Sequence, residues 1–206
     1  MKKISLLPDG YTELEYIEST GTQYITLSEF PTIYTKLEMN IVFDNNSSTP
    51  TTYFGILDNN GATIGFQNTY VANLFRGYYN YKWSLTDFGD TDFLIGVHKI
   101  KIWNGGVAVD ENIIFNKQLS SMSFSDSAKK YGFPVIGFAY LSWVKPDGRS
   151  FTNLKLMNLM WYENNVMKYN FIPALDITGK PCLYDTVSKK AFYNQGTGEF
   201  LYKEKE

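Results

Sequence analysis

Apolar and polar residues alternate along much of the chain, as they do in β-strands that bury one face. The run TKLEMNIVF (35–43) places apolar residues at 37, 39, 41 and 43 and polar residues at 36, 38 and 40. Successive side chains of an extended chain point to opposite faces, so the two sets lie on opposite sides of a strand. The pattern predicts a half-buried strand over 35–43.

Three β-prone runs, HKIKIW, GGVAVDEN and IIFNKQL, follow one another between residues 98 and 119. Asn104-Gly105-Gly106 separates the first two and supplies residues that readily adopt the positive φ angles of a tight hairpin. Two or three antiparallel strands are therefore predicted here. Further turn signals fall at 58–61, 146–148, 163–165 and 196–198, spread through the chain.

Only SSMSFSDSAKK (120–130) has the caps of a helical turn, and the polar run DNNSSTPTT (44–52) predicts an exposed loop. No internal repeat divides the chain. Roughly a dozen short strands with hairpin turns favour an all-β fold, a two-sheet antiparallel sandwich. We predict a single domain over 1–206, with its first and last strands side by side.

RGYYNYKW (76–83) is the most aromatic stretch of the chain. In an extended segment, Tyr79, Tyr81 and Trp83 share one face, which we predict to be in the core. The other face carries the candidate ligand-binding residues Arg76, Tyr78, Asn80 and Lys82.

Composition narrows the function classes. The chain has 19 basic and 21 acidic residues, a net charge of −2 and no basic block, so we predict no nucleic-acid partner. The N-terminus has too short an apolar run for a signal peptide, and no run approaches the ~20 apolar residues that span a bilayer. Cys182 is the single cysteine, so an internal disulfide is excluded.

The two ends of the chain carry a family resemblance. GYTELEYIESTGTQYITL (10–27) and NFIPALDITGKPCLYDTVSKKAFYNQGTGEF (170–200) resemble the ends of the concanavalin A-like, laminin-G-like jelly-roll domains of bacteriophages and gut bacteria, and HKIKIWNGGVAVDEN is a fainter match in the middle. The resemblance implies a jelly roll of two antiparallel sheets, in phage head or tail appendages or cell-surface proteins. Thr26-Leu27 stands where the family commonly has Asp-Thr-Gly, and Cys182 where it has glycine.

Three glutamates of ELEYIE, Glu13, Glu15 and Glu18, approximate the E-x-D-x-x-E pattern of laminarinase-like hydrolases. Retaining hydrolysis needs two carboxyl groups about 5–5.5 Å apart, which these residues reach only across a bulged strand. We predict exposed strand carboxylates instead, with a glycoside hydrolase using Glu13 and Glu18 as an alternative. His98, the only histidine, and Cys182 are predicted to be structural.

Three acidic residues, Asp87, Asp90 and Asp92 in SLTDFGDTDF, are the chain's candidate Ca²⁺ ligands. They lack the spacing of a twelve-residue calcium loop, and no Gly-rich phosphate loop occurs elsewhere. We therefore predict no catalytic site, no metal and no cofactor.

Carbohydrate binding is the ligand class that the aromatic residues favour. Sugars stack on rings and hydrogen-bond to amide, carboxylate or guanidinium groups. The loop around Trp143 and Arg149 offers this mixture, as does RGYYNYKW. We predict a non-enzymatic recognition or structural module of a virion or a bacterial surface, with a glycan or surface polysaccharide and virion proteins as partners. A purely structural, self-assembling virion protein is the alternative.

Overall fold

The computed structural model describes residues 6–43, 52–57, 63–68, 74–80, 88–92, 96–116, 121–141, 149–151 and 153–206. These ranges hold eighteen strands and one short helix. In chain order they are β1 (Thr12–Thr20), β2 (Ile25–Leu27), β3 (Thr35–Phe43), β4 (Thr52–Leu57), β5 (Thr63–Asn68), β6 (Leu74–Asn80), β7 (Phe88–Asp92), β8 (Gly96–Trp103), β9 (Gly106–Val109), β10 (Asn112–Asn116), α1 (Asp126–Lys129), β11 (Phe133–Ile136), β12 (Phe138–Leu141), β13 (Arg149–Phe151), β14 (Asn153–Glu163), β15 (Val166–Leu175), β16 (Pro181–Asp185), β17 (Lys190–Phe192) and β18 (Leu201–Glu204).

A ten-stranded antiparallel sheet is the largest unit of the described chain. Its order is β10-β9-β8-β3-β14-β1-β15-β16-β17, and β18 pairs with β1 beside this path. A six-stranded sheet has the order β13-β12-β4-β5-β6-β7, and β11 pairs with β2 in a sheet of two strands. The prediction of an all-β chain is confirmed.

Residues of all three sheets share one core. The large sheet contributes Ile17, Leu37, Leu156 and Trp161, the small pair Ile25 and Leu27, and the six-stranded sheet Phe54, Ile56 and Ile64. The ring of Phe133 in β11 packs edge-on against Phe54 on one side and Trp161 on the other, at centroid distances of 5.7 and 5.4 Å. The two-stranded sheet therefore links the two larger ones.

Several predicted local elements are confirmed, whereas the predicted loop 44–52 lies outside the described residues except for Thr52, which begins β4. Strand β3 occupies 35–43 and buries alternate residues from Thr35 to Phe43. Strands β8, β9 and β10 lie between 96 and 116, and Ser125 caps α1 by accepting a hydrogen bond from the backbone N–H of Ala128. The described ranges hold eighteen strands, more than the dozen that we predict from the sequence.

The large sheet bends where β1, β14 and β15 meet. Both β1 and β15 run antiparallel to β14, yet they also pair antiparallel with each other at Thr12–Leu175 and Glu13–Ala174. Two strands antiparallel to a third run parallel to one another in a flat sheet, so these strands must turn out of one plane. Register shifts in β1 at Leu14/Tyr16 and in β14 at Leu156/Asn158 mark the bend.

The segments 19–27 and 194–198 are hydrogen-bonded to each other. We call these contacts the joint between the two ends of the chain. The backbone N–H of Gln195 donates to the carbonyl of Tyr24 (2.8 Å), and the side chain of Asn194 accepts from the N–H of Tyr24 (3.0 Å). Thr26 Oγ1 donates to the side chain of Gln195 (2.8 Å). Strand β1, just before the joint, pairs antiparallel with β18, just after it.

Among the described residues, no helix has the length and apolar character needed to cross a bilayer.

Candidate functional site

The predicted ligand-binding residues that the structure describes do not all lie on neighbouring strands. Arg76, Tyr78 and Asn80 lie in β6, whereas Arg149 begins β13 at the opposite edge of the same sheet. Strands β12, β4 and β5 separate them, which is about 19 Å at ~4.8 Å per strand. Lys82 and Trp143 lie outside the described residues, as do Tyr81 and Trp83.

A cleft of about 260 Å³ lies at the bend of the large sheet, and we call it the junction cleft. Strand β14 pairs with β1 as far as Leu156 and with β15 from Leu159 onward, so Met157 and Asn158 fall between the two pairings. The three strands diverge there, and the gap between them is the cleft. Its walls therefore come from residues far apart in the chain.

Polar side chains make up half of the cleft wall. They are two carboxylates, three amides and one ammonium: Glu13, Glu15, Asn40, Asn158, Asn170 and Lys205. Apolar groups from Met157, Met160 and Ile172 lie beside them. The site thus combines hydrogen-bonding groups with C–H surface.

Two of the three amides make a side-chain hydrogen bond within the described chain, so the three leave different groups available. The Oδ1 of Asn158 accepts from the backbone N–H of Asn40 (3.1 Å), at the register shift between β14 and β3. The Nδ2 of Asn170 donates to Thr186 Oγ1 (2.8 Å). Within the described chain, these contacts leave the NH₂ of Asn158, the carbonyl of Asn170 and the whole amide of Asn40 for a ligand.

Lysines neutralise the carboxylates of β1. Glu13 pairs with Lys205, and Glu15 lies 2.7 Å from Lys203. Glu18 lies 3.8 Å from Lys155 and does not line the cleft. The five-residue separation of Glu13 and Glu18 does span a register shift in β1, but each carboxylate contacts a lysine.

His98 contacts the turn between β9 and β10. Its Nδ1 lies 2.7 Å from Oδ2 of Asp110, and the other carboxylate oxygen of Asp110 accepts from the backbone N–H of Lys99 (2.8 Å). Asp110 has a positive φ of 49° in the turn between β9 and β10. The histidine is thus tied to the hairpin end, as a structural residue would be.

A second cluster surrounds Cys182, which is fully buried. Burial, with a smaller contribution from the charge of Asp176, raises the pKa of the thiol to about 12. The Asp176 carboxylate accepts hydrogen bonds from Thr178 Oγ1 (2.7 Å), the Lys180 N–H (3.0 Å) and the Tyr193 hydroxyl (2.9 Å). These bonds hold the pKa of Asp176 well below its usual range. Thus Asp176 organises the 176–180 turn, and Cys182 packs as an apolar residue.

A smaller cavity of about 170 Å³ lies beside the joint between the ends. Its amide, Asn194, is already used on both sides, since Oδ1 accepts from Tyr24 and Gly196 and Nδ2 donates to the carbonyl of Gly198. Lys180 lies 5.1 Å from the centre of the Tyr193 ring. This cavity is therefore a by-product of the joint.

In the described ranges, no three His, Cys, Asp or Glu side chains lie close enough together to hold a metal ion. Of the predicted calcium candidates, Asp90 and Asp92 lie in β7, and Asp87 lies outside the described residues.

The junction cleft was not predicted from the sequence, although the chain carries a signal for it. In β14 the buried residues run Leu154, Leu156, Leu159, Trp161, so the two-residue alternation slips by one at 157–158. In β1 the same slip separates Leu14 from Ile17. Two slips in strands that pair with each other mark adjacent bulges, where neighbouring side chains point outward together.

Comparison of the chain with family models, curated proteins and solved structures finds no match. The resemblance of the two ends to concanavalin A-like domains therefore stays a prediction.

Proposed function

We propose that the chain is a non-enzymatic recognition module that binds a glycan weakly in the junction cleft. We also propose that its sheets form the two layers of a concanavalin A-like jelly roll, carried by a phage particle or a bacterial surface assembly. The shared core of the three sheets and the pairing of β1 with β18 support the fold. The virion or cell-surface setting follows from the end motifs by analogy.

The mixture of donors and acceptors in the cleft is the observation that carries this proposal. A sugar hydroxyl both donates and accepts a hydrogen bond, so it is best matched by a site that offers both kinds of group. Asn158 offers donors, Asn170 an acceptor and Asn40 both. Met157 and Ile172 add the apolar surface that the C–H face of a sugar ring requires.

A calorimetric titration with a panel of neutral oligosaccharides tests the function. We expect at least one to bind at millimolar concentration and Asn40→Ala to weaken it about tenfold, the loss of one or two hydrogen bonds. The Asn40 side chain has no hydrogen-bond partner among the described residues, so this variant should fold normally. Asn153→Ala, at the exposed start of β14, is the matched control. If no member of the panel binds at millimolar concentration, the proposed function is wrong.

The face of β6 is a second place for the same ligand. Arg76, Tyr78 and Asn80 are at alternate positions of that strand. If Tyr78→Ala abolishes binding while Asn40→Ala has no effect, the glycan site is on β6 and the junction cleft is not used.

Self-assembly is the second candidate function, and apolar residues near one edge of the large sheet favour it. Ile113 in the edge strand β10 is 61% exposed and Val97 in β8 is 58% exposed. Edge strands with exposed apolar residues pair readily with other chains. A mass measurement by light scattering separates the two functions, because assembly through β10 gives a dimer or trimer that Ile113→Lys converts to a monomer.

Hydrolysis is not part of the proposal. Glu13 and Glu18 each contact a lysine, and Glu18 does not line the junction cleft, whereas a retaining glycosidase needs both carboxyl groups beside the bond that it breaks. If hydrolytic activity is found and Glu13→Gln abolishes it, this part of the account is wrong.

A further inference from the structure

We propose that the junction cleft selects glycans by charge, and that Lys205 is the residue that sets the preference. The inference rests on the proposed function, because it concerns the same cleft. It predicts that amino sugars bind more tightly than neutral sugars, and neutral sugars more tightly than acidic ones.

The wall of the junction cleft carries both signs of charge. The ionisable groups on the wall are the carboxylates of Glu13 and Glu15 and the ammonium of Lys205. The residues of the wall therefore carry two negative charges and one positive charge. Lys203 neutralises Glu15 from beside the cleft and is not part of its wall.

Lys205 lies at an exposed position of the cleft wall. It follows β18, whose last residue is Glu204, and its side chain is 48% exposed. Among the described contacts, it is held only by Glu13, itself 39% exposed. Ion pairs this exposed are weak and lose strength with salt, so a ligand cation can replace the lysine.

A charged group on a sugar would change the ion pair between Glu13 and Lys205. An ammonium group on a sugar can take the place of Lys205 beside Glu13 and keep the carboxylate paired. A sugar carboxylate must enter a wall that already has two carboxylates, and it can gain Lys205 only by leaving Glu13 unpaired. The amides of Asn40, Asn158 and Asn170 are neutral and contribute equally to all three classes.

Three trisaccharides of one linkage provide the probes: β-1,4-linked glucosamine, N-acetylglucosamine and a uronic acid. Titrations at low salt and near pH 6, where an amine is charged, should give affinities in that order. Each step should be about threefold, a ratio typical of exposed ion pairs.

Variants of Glu13 and Lys205 test the charge preference separately from glycan binding itself. Lys205→Ala should tighten glucosamine binding about threefold relative to the neutral trisaccharide, because Glu13 is then free. Glu13→Gln should remove the preference for the amine. Lys129→Ala, an exposed lysine of α1, is the control and should change nothing.

Equal affinities for the three trisaccharides would overturn this inference and leave glycan binding intact. So would a Lys205→Ala variant that changes all three alike. If none of the three binds and the neutral panel also fails, the proposed function and this inference fall together.

Discussion

At the scale of single residues, the joint between the chain ends depends on backbone atoms that lie very close together. A Cβ placed on Gly196 would lie 1.9 Å from the carbonyl oxygen of Thr22 and 3.0 Å from the Tyr24 ring. A backbone oxygen in a paired segment cannot move aside as a flexible side chain can. Only glycine fits at this position.

Gly196→Ala should therefore lower the free energy of unfolding by ~1–3 kcal/mol, as overpacking typically does. Urea unfolding followed by tryptophan fluorescence measures the change. Glu199→Ala, at an exposed position of the same loop, is the control and should be nearly neutral. An unchanged midpoint for Gly196→Ala would mean that the two ends are not held together.

Asp176 gives stability a pH dependence of known sign. Its pKa is lowered in the folded chain, and an unfolded aspartate titrates near 3.9. The stabilisation is therefore complete above about pH 5 and is lost as the pH falls through 4 and below. Asp176→Asn should be less stable than the parent at neutral pH, and the difference should shrink as the solution is acidified.

Unfolding midpoints in urea at about pH 6 and pH 3 provide the test of this linkage. Asp9→Asn, at an exposed position, is the matched control. A difference between parent and Asp176→Asn that stays constant with pH would contradict the hydrogen bonds described for this carboxylate.

Cys182 should be inert in the folded protein. The thiol is fully buried and its raised pKa, about 12, leaves almost no thiolate at pH 8. Modification by a thiol reagent such as DTNB should be at least ~100-fold slower in the folded chain than in urea, because only the exposed thiolate reacts. Reaction of the native protein at the rate of a free thiol would show that the β15–β16–β17 layer opens readily.

At the scale of elements, the hairpin of β14 and β15 illustrates turn chemistry. Glu163 pairs with Val166, so Asn164 and Asn165 form a two-residue loop with φ angles of 51° and 63°. Positive φ at both positions is characteristic of a type I′ turn, which asparagine and glycine tolerate.

Asn165→Val should lower the free energy of unfolding by about 1 kcal/mol or more, because a β-branched residue is strained at positive φ. Asn165→Gly should stay within about 0.5 kcal/mol of the parent, since glycine is favoured at this turn position. The two variants are compared by urea unfolding. Equal effects of valine and glycine would contradict the turn type.

How well an element could be predicted depends on the regularity of its pattern. Strand β3 and the β14–β15 turn follow from alternation and from turn residues, which are local properties. The junction cleft could not be predicted in the same way, because it depends on which strands lie beside β14. The slips at 157–158 and between Leu14 and Ile17 are visible in the sequence, but only the pairing of β1 with β14 makes them one site.

The place of β6 in its sheet is a second feature that could not be predicted from the sequence pattern. Alternation in RGYYNYKW does predict an extended segment, and β6 occupies its first part. Alternation says nothing of how far β6 lies from Arg149, because the order of strands in a sheet is a property of the whole chain. Arg149 and the predicted ligand residues of β6 are therefore similar in composition but lie on separate strands.

At the scale of the whole molecule, contacts between distant parts of the chain create both the fold and the cleft. The junction cleft takes its wall from β1, β3, β14, β15 and the residue after β18, which span nearly the whole sequence. Such a site exists only in the folded chain. Ligand binding should therefore stabilise the protein against unfolding by RT ln(1 + L/Kd), where L is the concentration of free ligand.

The most direct test of glycan binding in the junction cleft is an NMR titration with the tightest-binding neutral oligosaccharide of the panel, following the side-chain NH₂ signals of the asparagines. The account predicts saturable shifts for Asn158 and Asn40 at millimolar ligand, with Asn153 and the backbone amides of 76–80 unchanged. Shifts confined to 76–80, or no shift at any asparagine when the ligand is bound, would contradict it.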